Sequence, residues 1–338
     1  MTGKQESMKK FFRWEMFLVV LLLLEVLVFG AINPRFLRPR ILLGSINDFI
    51  PICIISLFVT FVLITGGMDI QAGSIVGLAS ILAGILFEYF HFNIWIASFC
   101  AILAGMSCGL FSGFLVAYTG VPPMVVTLGG SFLYAGTAIT ITKMAGIESH
   151  KGISGFPQLF TAFTNFYIGP VPFQALIFLA LIIVSFFLLH RTKYGRYVFL
   201  CGINRSAAAY SGINTRLVIM SAYGLSGIGA GIVGIILTSY LGTAKADFGK
   251  ELTLPIITAV VLGGTSILGG RGSIAGTALA ALVIGIMRFG LSMSGLNTQY
   301  LDIPVGIMLI LAVGMRGAAG VLPGLFKRRA PAPGGGPL

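Results

Sequence analysis

Long runs of apolar residues dominate this chain of 338 residues, and short polar or glycine-rich segments separate them. A helix needs about 20 mostly apolar residues to cross a bilayer, so runs of this length predict membrane-spanning helices. A β-barrel would instead show weak alternation over segments of about ten residues, and these runs are unbroken. The pattern predicts an all-α integral membrane protein with about ten transmembrane helices, near residues 14–32, 49–65, 74–90, 94–117, 124–142, 172–190, 217–240, 252–268, 273–290 and 301–316.

Composition excludes a protein that is soluble in water. Charged residues make up only 9% of the chain and hydrophobic residues 57%, with a mean hydropathy of +0.99. A soluble domain is about 25% charged, so this chain has too few charges to cover a surface in water. Its four cysteines form no C-x-x-C pair, which favours buried thiols over a metal or redox site.

The net charge of +12 is typical of a membrane protein whose basic residues collect in cytoplasmic loops, and it requires no nucleic-acid partner. If the N-terminus lies inside, fourteen Lys and Arg residues fall in inner segments and seven in outer ones. This bias predicts cytoplasmic N- and C-termini, although the cluster Arg35–Arg40 runs against it. The first apolar run carries Glu25 and lacks a small-residue cleavage site, which favours a retained helix over a cleaved signal.

Two glycine-rich interruptions resemble each other. Residues 66–77 and 263–276 both end an apolar run with a glycine pair and resume with Gly-Ser-Ile-x-Gly. Paired interruptions of this kind in the two halves of a transporter point to its translocation path, although glycine-rich turns also look alike by chance. They predict two pseudo-repeated halves, with helix breaks at Gly66, Gly67, Gly263 and Gly264.

A polar stripe on the fifth predicted helix is the candidate lining of that path. Thr127, Ser131, Tyr134 and Thr137 follow one another at steps of 4, 3 and 3 residues, so they share one helix face. A weakly polar, uncharged lining suits a small polyhydroxylated ligand that must not bind tightly. The alternative is that these hydroxyls bond to carbonyls of their own helix. Asp69, in the first break, is predicted to cap the next helix or, second, to line the path.

An enzyme and an ion-coupled carrier are less well supported. The sequence Gly224-Leu225-Ser226-Gly227 could hold a serine nucleophile, but no histidine follows Ser226 on a later helix to act as its base. Glycines at four-residue spacing in the fourth and seventh predicted helices favour close helix packing instead. Acidic residues within the predicted spans are few, and an ion-coupled carrier usually needs them. We predict no catalytic residue and no metal site.

The polar loop at about 190–216 carries five basic residues and no acidic one. Asn204 is a good helix N-cap, alanines follow it, and Gly212 is a typical helix end, so a short helix is predicted here. Such a short helix is marginal alone and needs a surface to dock on. The composition leaves two surfaces open, an anionic lipid headgroup region or a cytoplasmic partner protein.

Several motifs resemble one family of membrane proteins. Within the loop, Tyr194-Gly195-Arg196, Gly202-Ile203-Asn204, Ala207-Ala208 and Ser211-Gly212-Ile213 resemble the cytoplasmic coupling loop of ribose-type ABC importer permeases. Gly66 to Ile70 and Val261 to Gly264 are similar to the same family, and the resemblance runs from about 14 to 316. Within it, Glu25 to Arg35, Asp48-Phe49-Ile50, Gly155-Phe156-Pro157 and Thr238 to Val261 are most similar to the permeases of autoinducer-2 importers.

The resemblance implies a channel half in the bacterial inner membrane, with autoinducer-2 as substrate and ribose-like sugars as the alternative. It implies a second, different permease chain, two cytoplasmic ATPase domains and an extracytoplasmic binding protein as partners. The chain itself contains no G-x-x-x-x-G-K-S/T loop, so ATP and its Mg²⁺ are expected on the partner, with no cofactor here. We predict one permease domain over 1–329, a low-complexity tail at 330–338, and ATPase contacts at Tyr194, Gly195, Arg196, Asn204, Ala207, Ala208 and Gly212.

Overall fold

The computed structural model describes residues 2–147, 152–297 and 300–327, with side chains for 14–147, 152–297 and 300–314. The predicted tail at 330–338 lies outside the described residues. Among these residues the structure has four two-residue strands, β1 (Ile153–Ser154), β2 (Tyr167–Ile168), β3 (Val171–Pro172) and β4 (Thr243–Ala244). The described α-helices are α1 (Thr2–Ile32), α2 (Pro39–Gly44), α3 (Ile46–Ile64), α4 (Ala72–Glu88), α5 (Ile94–Phe114), α6 (Pro123–Met144), α7 (Gln158–Asn165), α8 (Phe173–Arg191), α9 (Lys193–Ile203), α10 (Arg205–Tyr210), α11 (Thr215–Leu241), α12 (Thr253–Leu262), α13 (Ile274–Met293) and α14 (Asp302–Lys327).

The all-α membrane class is confirmed. Within the described residues, seven helices are long and apolar enough to cross a bilayer: Trp14–Ile32, Ile46–Ile64, Ile94–Thr119, Pro123–Met144, Phe173–Arg191, Thr215–Leu241 and Ile274–Met293. Three further apolar helices are shorter, at Ala72–Glu88, Thr253–Leu262 and Asp302–Gly314.

The predicted span at 252–268 is too long, because α12 ends at Leu262. The chain turns immediately afterwards, and Gly264 takes a φ of 107°, which side chains with a β-carbon rarely adopt.

Helix α3 is the centre of the bundle. It is buried continuously from Phe49 to Ile64, and α8, α11, α12 and α13 pack around it. The exposed apolar side chains lie on outer helices instead, such as Leu27 on α1 and Ile183 on α8. Apolar side chains on the outside are expected where lipid replaces water as the solvent, and they support a bundle that is surrounded by membrane.

The bundle has two distinct ends. One end carries the predicted loop at 190–216, and we call it the coupling end. There α9 and α10 lie near the C-terminal end of α5, where Arg205 donates to the carbonyl of Ala117 at 2.9 Å. The indole of Trp14 on α1 donates to Leu262 O at this end, at 2.8 Å. The opposite end, which we call the far end, carries the four short strands. There β1 pairs with β4 and β2 pairs with β3, both antiparallel.

The predicted small-residue faces of α5 and α11 pack against each other. Gly105 of α5 and Gly227 of α11 lie so close that a β-carbon on either would overlap the backbone carbonyl of the other. Further along, Gly231 approaches Ile102, and a β-carbon there would lie 2.9 Å from its Cα. Close backbone approach through small residues is the usual basis of tight helix pairs in membranes. The contact holds α11 against α5 along most of the length of α5.

Gly227→Leu should therefore separate α5 from α11 and lower the free energy of unfolding by about 2 kcal/mol or more, since overpacking of this kind is not relieved by rotamer changes. Thermal unfolding in detergent would measure the loss. Gly129→Leu is the matched control, because no described atom lies within 4 Å of a β-carbon at this exposed position on α6. Equal stability of the two variants would contradict the packing described above.

Candidate functional site

The first helix break spans residues 65–71, between α3 and α4, and Asp69 is its central side chain. Asp69 is 2% exposed. Its Oδ1 accepts the N–H of Gln71 at 3.1 Å, and its Oδ2 accepts the hydroxyl of Ser226 on α11 at 2.5 Å. The carboxylate thus satisfies a backbone group just before α4 begins and ties the break to α11.

The carbonyl of Met68 is also satisfied by side chains from neighbouring helices. Tyr223 of α11 and Thr127 of α6 each donate a hydroxyl to it at 3.2 Å. A buried carbonyl without such donors would carry a desolvation cost, which helices normally avoid by bonding internally. The break is therefore stabilised by hydroxyl groups on two helices.

A second chain of hydrogen bonds runs from Gln71 to α5 and α6. The hydroxyl of Ser112 donates to Gln71 Oε1 at 2.7 Å and lies 3.1 Å from the Tyr134 hydroxyl, which donates to Cys108 O at 2.9 Å. Gln71 is fully buried, and its amide nitrogen finds no partner among the described residues. We call this polar group the break cluster; its members are Asp69, Gln71, Ser112, Thr127, Tyr134, Tyr223 and Ser226.

The structure divides the predicted polar stripe of α6. Thr127 and Tyr134 are buried in the break cluster together with Asp69. Ser131 and Thr137 are only partly buried, and they donate to the carbonyls of Leu128 and Leu133 on their own helix, both at 2.7 Å. The lining of a path by these four residues stays a prediction.

The second break, at 263–272, contacts the first. The N–H of Gly270 donates to the carbonyl of Ile64 at 2.8 Å, at the C-terminal end of α3. A β-carbon at Gly269 would lie 2.8 Å from the nitrogen of Gly66. Gly263 packs directly on the first turn of α13, beside Thr277. The two predicted breaks are thus neighbours in space, although they are far apart along the chain.

The coupling loop reaches both breaks through Gly202, near the C-terminal end of α9. A β-carbon at Gly202 would overlap the carbonyl of Ile64 and the nitrogen of Gly270, so three backbone segments touch without an intervening side chain. We call this contact of Ile64, Gly202 and Gly270 the three-way junction. We expect a displacement of α9 to move the break segments as well, because there is no flexible side chain between the three backbones to absorb it.

The remainder of α9 is anchored on the bundle by Tyr194. Its hydroxyl hydrogen-bonds to Ser221 at 3.0 Å, and its ring stacks on Phe61 with the centroids 6.4 Å apart. Burial raises the pKa of Tyr194 to about 12, so the hydroxyl stays neutral at physiological pH. Gly195 packs against the carbonyl of Leu189, whereas Arg196 is exposed.

The predicted short helix is present as α10. Asn204 caps it, accepting the N–H of Ala207 at 2.9 Å, and Gly212 follows with a φ of 80°. Ala208 faces the protein and is 4% exposed, whereas Ala207 is exposed and Tyr210 is 94% exposed. The sequence did not predict the neighbouring helix α9. One face of α10 is therefore fixed on the bundle, and the side chains of the other face are exposed.

Comparison with known proteins assigns the fold to a family. A family model described as "Branched-chain amino acid transport system / permease component" matches residues 41–313. The chain belongs to this permease family. The matched region contains both helix breaks, the break cluster and the coupling loop.

Relatives of this permease carry a consistent name. The autoinducer 2 import system permease protein LsrD of Klebsiella pneumoniae subsp. pneumoniae is 42% identical over 306 residues, covering 90% of this chain and 92% of that protein. The proteins of the same name from Enterobacter sp. and Escherichia coli are 41% and 42% identical, and each match covers 89% of this chain and 91% of the relative. The expected family is confirmed, and the permease is a component of an ABC transporter.

Sequence reasoning missed four members of the break cluster on this permease, Gln71, Ser112, Tyr223 and Ser226, since it considered Ser226 only as a nucleophile and favoured helix packing at that position. Gln71 follows Asp69 by two residues in the same break, so its position in the sequence was enough to suggest a role there. Ser112 and Tyr223 lie among apolar neighbours on long helices, where the sequence gives no such indication. Only the packing of α5 and α11 brings them to the break.

Ser226→Ala should destabilise the permease by about 1–3 kcal/mol, because it leaves one oxygen of the buried Asp69 carboxylate without its donor. Thermal unfolding of the purified protein would show the loss. Ser107→Ala provides the comparison, since Ser107 is exposed and donates only to Leu103 O of its own helix at 2.9 Å. A loss no larger at Ser226 than at Ser107 would mean that the carboxylate does not depend on this bond.

Proposed function

We propose that this permease forms half of the translocation path of an importer for autoinducer 2 in the bacterial inner membrane. The observation that carries the proposal is the 41–42% identity, over about nine tenths of the chain, to import permeases named for that ligand. A permease for ribose or another small sugar is the second candidate, since the motifs resemble that wider group. An ion-coupled carrier that works alone is a more distant one.

The chemistry of the break cluster supports a polar, uncharged ligand. Five of its seven members carry hydroxyl groups, which both donate and accept hydrogen bonds: Ser112, Thr127, Tyr134, Tyr223 and Ser226. Asp69 is the single carboxylate, and its two oxygens already accept bonds from the protein. A ligand rich in hydroxyl groups could exchange bonds with such a cluster without being held tightly.

We further propose one transmembrane domain over 1–329 with ten spans in two pseudo-repeated halves. Three shorter apolar helices supplement the seven long ones, and the two breaks with similar sequences lie side by side. A short helix at α4 or α12 can still be part of a span, because discontinuous helices are common where a transporter lines its path.

The ATPase partner is proposed to dock on the exposed face of α9 and α10, around Arg196, Ala207 and Tyr210. If the ATPase moves α9, the three-way junction would pass that displacement directly to both breaks. The basic residues of this loop support a cytoplasmic coupling end, and with it cytoplasmic N- and C-termini. The other partners proposed are a second, different permease chain and an extracytoplasmic binding protein, with ATP and Mg²⁺ held by two ATPase domains.

Reconstitution in proteoliposomes tests the proposed function. Autoinducer 2 should accumulate only when the permease is combined with the ATPase, the second permease and the binding protein, and only with ATP. Uptake by this chain alone, driven by an ion gradient, would instead indicate a carrier. Uptake of ribose without autoinducer 2 by the complete importer would favour the second candidate.

Tyr210→Ala tests the docking face. Removing an exposed aromatic side chain at a protein interface costs about 2 kcal/mol, so the ATPase should bind about thirtyfold more weakly to the purified permease. Tyr300→Ala is the matched control, because Tyr300 is 58% exposed near the far end. Unchanged ATPase binding by Tyr210→Ala would contradict docking at α10 and would favour the alternative, in which α10 lies on the lipid surface.

A further inference from the structure

A cavity of about 530 Å³ opens at the far end, between α3, α13 and the segment 245–252. This volume is within the range of sites that hold small molecules. The cavity differs from the rest of the bundle in its charge. Its charged lining residues are Asp48, Asp247, Lys250, Glu251 and Arg288.

The segment 245–252 is not helical, and it runs down the side of α4 into the bundle. Near the far end, Ala244 packs against Gly84 of α4, where an added β-carbon would lie 3.0 Å from the Cβ of Ala244. Gly249 lies directly against Gly73 in the first turn of α4. At 1.5 Å per helical residue, the segment descends about 16 Å between these two contacts. Non-helical backbone at membrane depth is tolerated only where protein buries it or where it lines a water-filled cavity. Both conditions meet here, because α4 covers one side and the cavity lies on the other.

The inner end of the cavity adjoins the first helix break. Leu252 lines the cavity, and the next residue, Thr253, donates its hydroxyl to the carbonyl of Ile70 at 3.4 Å. Helices α4 and α12 therefore begin beside each other, next to the part of the cavity that Leu252 lines. A ligand at Leu252 is close to the backbone of the first helix break.

Acidic residues outnumber basic residues in the lining of the cavity. Three of the ten acidic residues of the whole chain line it, and a fourth, Asp302, holds Arg288 through a 2.6 Å ion pair. Lys250 is the other basic residue of the lining, against the three acidic residues Asp48, Asp247 and Glu251. The cavity is therefore electronegative, and it repels phosphate and carboxylate groups.

The same lining suits hydroxyl groups. A carboxylate is an acceptor only, so it pairs with ligands that present O–H donors. Three phenylalanine rings, at Phe49, Phe248 and Phe289, add flat apolar surface for the C–H faces of a small ring. We propose that this cavity is the receiving site for a small, uncharged, polyhydroxylated ligand, and that Asp247 and Glu251 select against anions. The proposal rests on the import function proposed above.

Charged thiol reagents test whether the cavity selects against anions. Ser292 lines the cavity, so Ser292→Cys is placed in the assembled importer on a background without the four native cysteines. A cationic methanethiosulfonate should react about tenfold faster than an anionic one of similar size, because a cleft of one charge concentrates the opposite ion. Adding Asp247→Asn and Glu251→Gln should bring the ratio down to that of Leu159→Cys, an exposed far-end site on α7. A ratio already equal to that control would overturn the selection against anions.

Ligand protection and transport test the receiving site itself. Millimolar autoinducer 2 or, in a separate arm, ribose should slow the labelling of Ser292→Cys, and the two neutralised acids should abolish this protection. The same two substitutions should raise the KM for uptake about tenfold or more with little effect on ATPase docking. Glu88→Gln, at an exposed acid of α4 outside the cavity lining, should leave the KM unchanged.

The outcomes separate the two proposals. Normal uptake by the unsubstituted importer without protection at Ser292→Cys would overturn the receiving site alone. Absence of uptake of both ligands by the complete unsubstituted importer would overturn the proposed function, and the receiving site with it.

Discussion

A backbone carbonyl or N–H group inside a bilayer must find a partner within the protein, because lipid offers none. That constraint governs the segment between α3 and α4, where residues 65–71 leave the helix. Asp69, Tyr223 and Thr127 supply or receive the bonds that the break has lost. Tyr223 lies on α11, whose position is fixed by the glycine contacts of Gly105 and Gly227 with α5. The donors that α11 supplies to the break are therefore held in place by a helix contact that is too close for side chains with a β-carbon.

The same closeness at the coupling end connects elements that are remote in sequence. Gly202 brings the backbone of α9 against Ile64 and Gly270, and those two residues are already joined by a hydrogen bond. Contacts between backbones transmit displacement without loss to side-chain rotamers, since packed interiors have little free volume. An ATPase that moves α9 in the proposed import cycle would shift both breaks together.

The break cluster and the far-end cavity differ in chemistry, and the difference is consistent with transport of a neutral polar molecule. Carboxylates in the cavity accept hydrogen bonds and repel anions, whereas the break cluster offers mainly hydroxyls that accept and donate. The bond from Thr253 to Ile70 places one directly beside the other. A ligand would thus meet progressively less charge as it moves inward, where charge is most costly.

The sequence by itself determined the membrane class, the approximate helices, the two glycine breaks and the cap of α10, because each depends on residues that are near one another in the chain. It did not determine which hydroxyls meet Asp69, and it placed Ser131 and Thr137 with Thr127 although only Thr127 reaches the break. It also extended α12 beyond Leu262, and it left 241–251 between two predicted spans with no indication that Gly249 packs against α4. Those features depend on tertiary structure, since the approach of α5, α11 and α4 decides which polar groups are buried together and where non-helical backbone can lie.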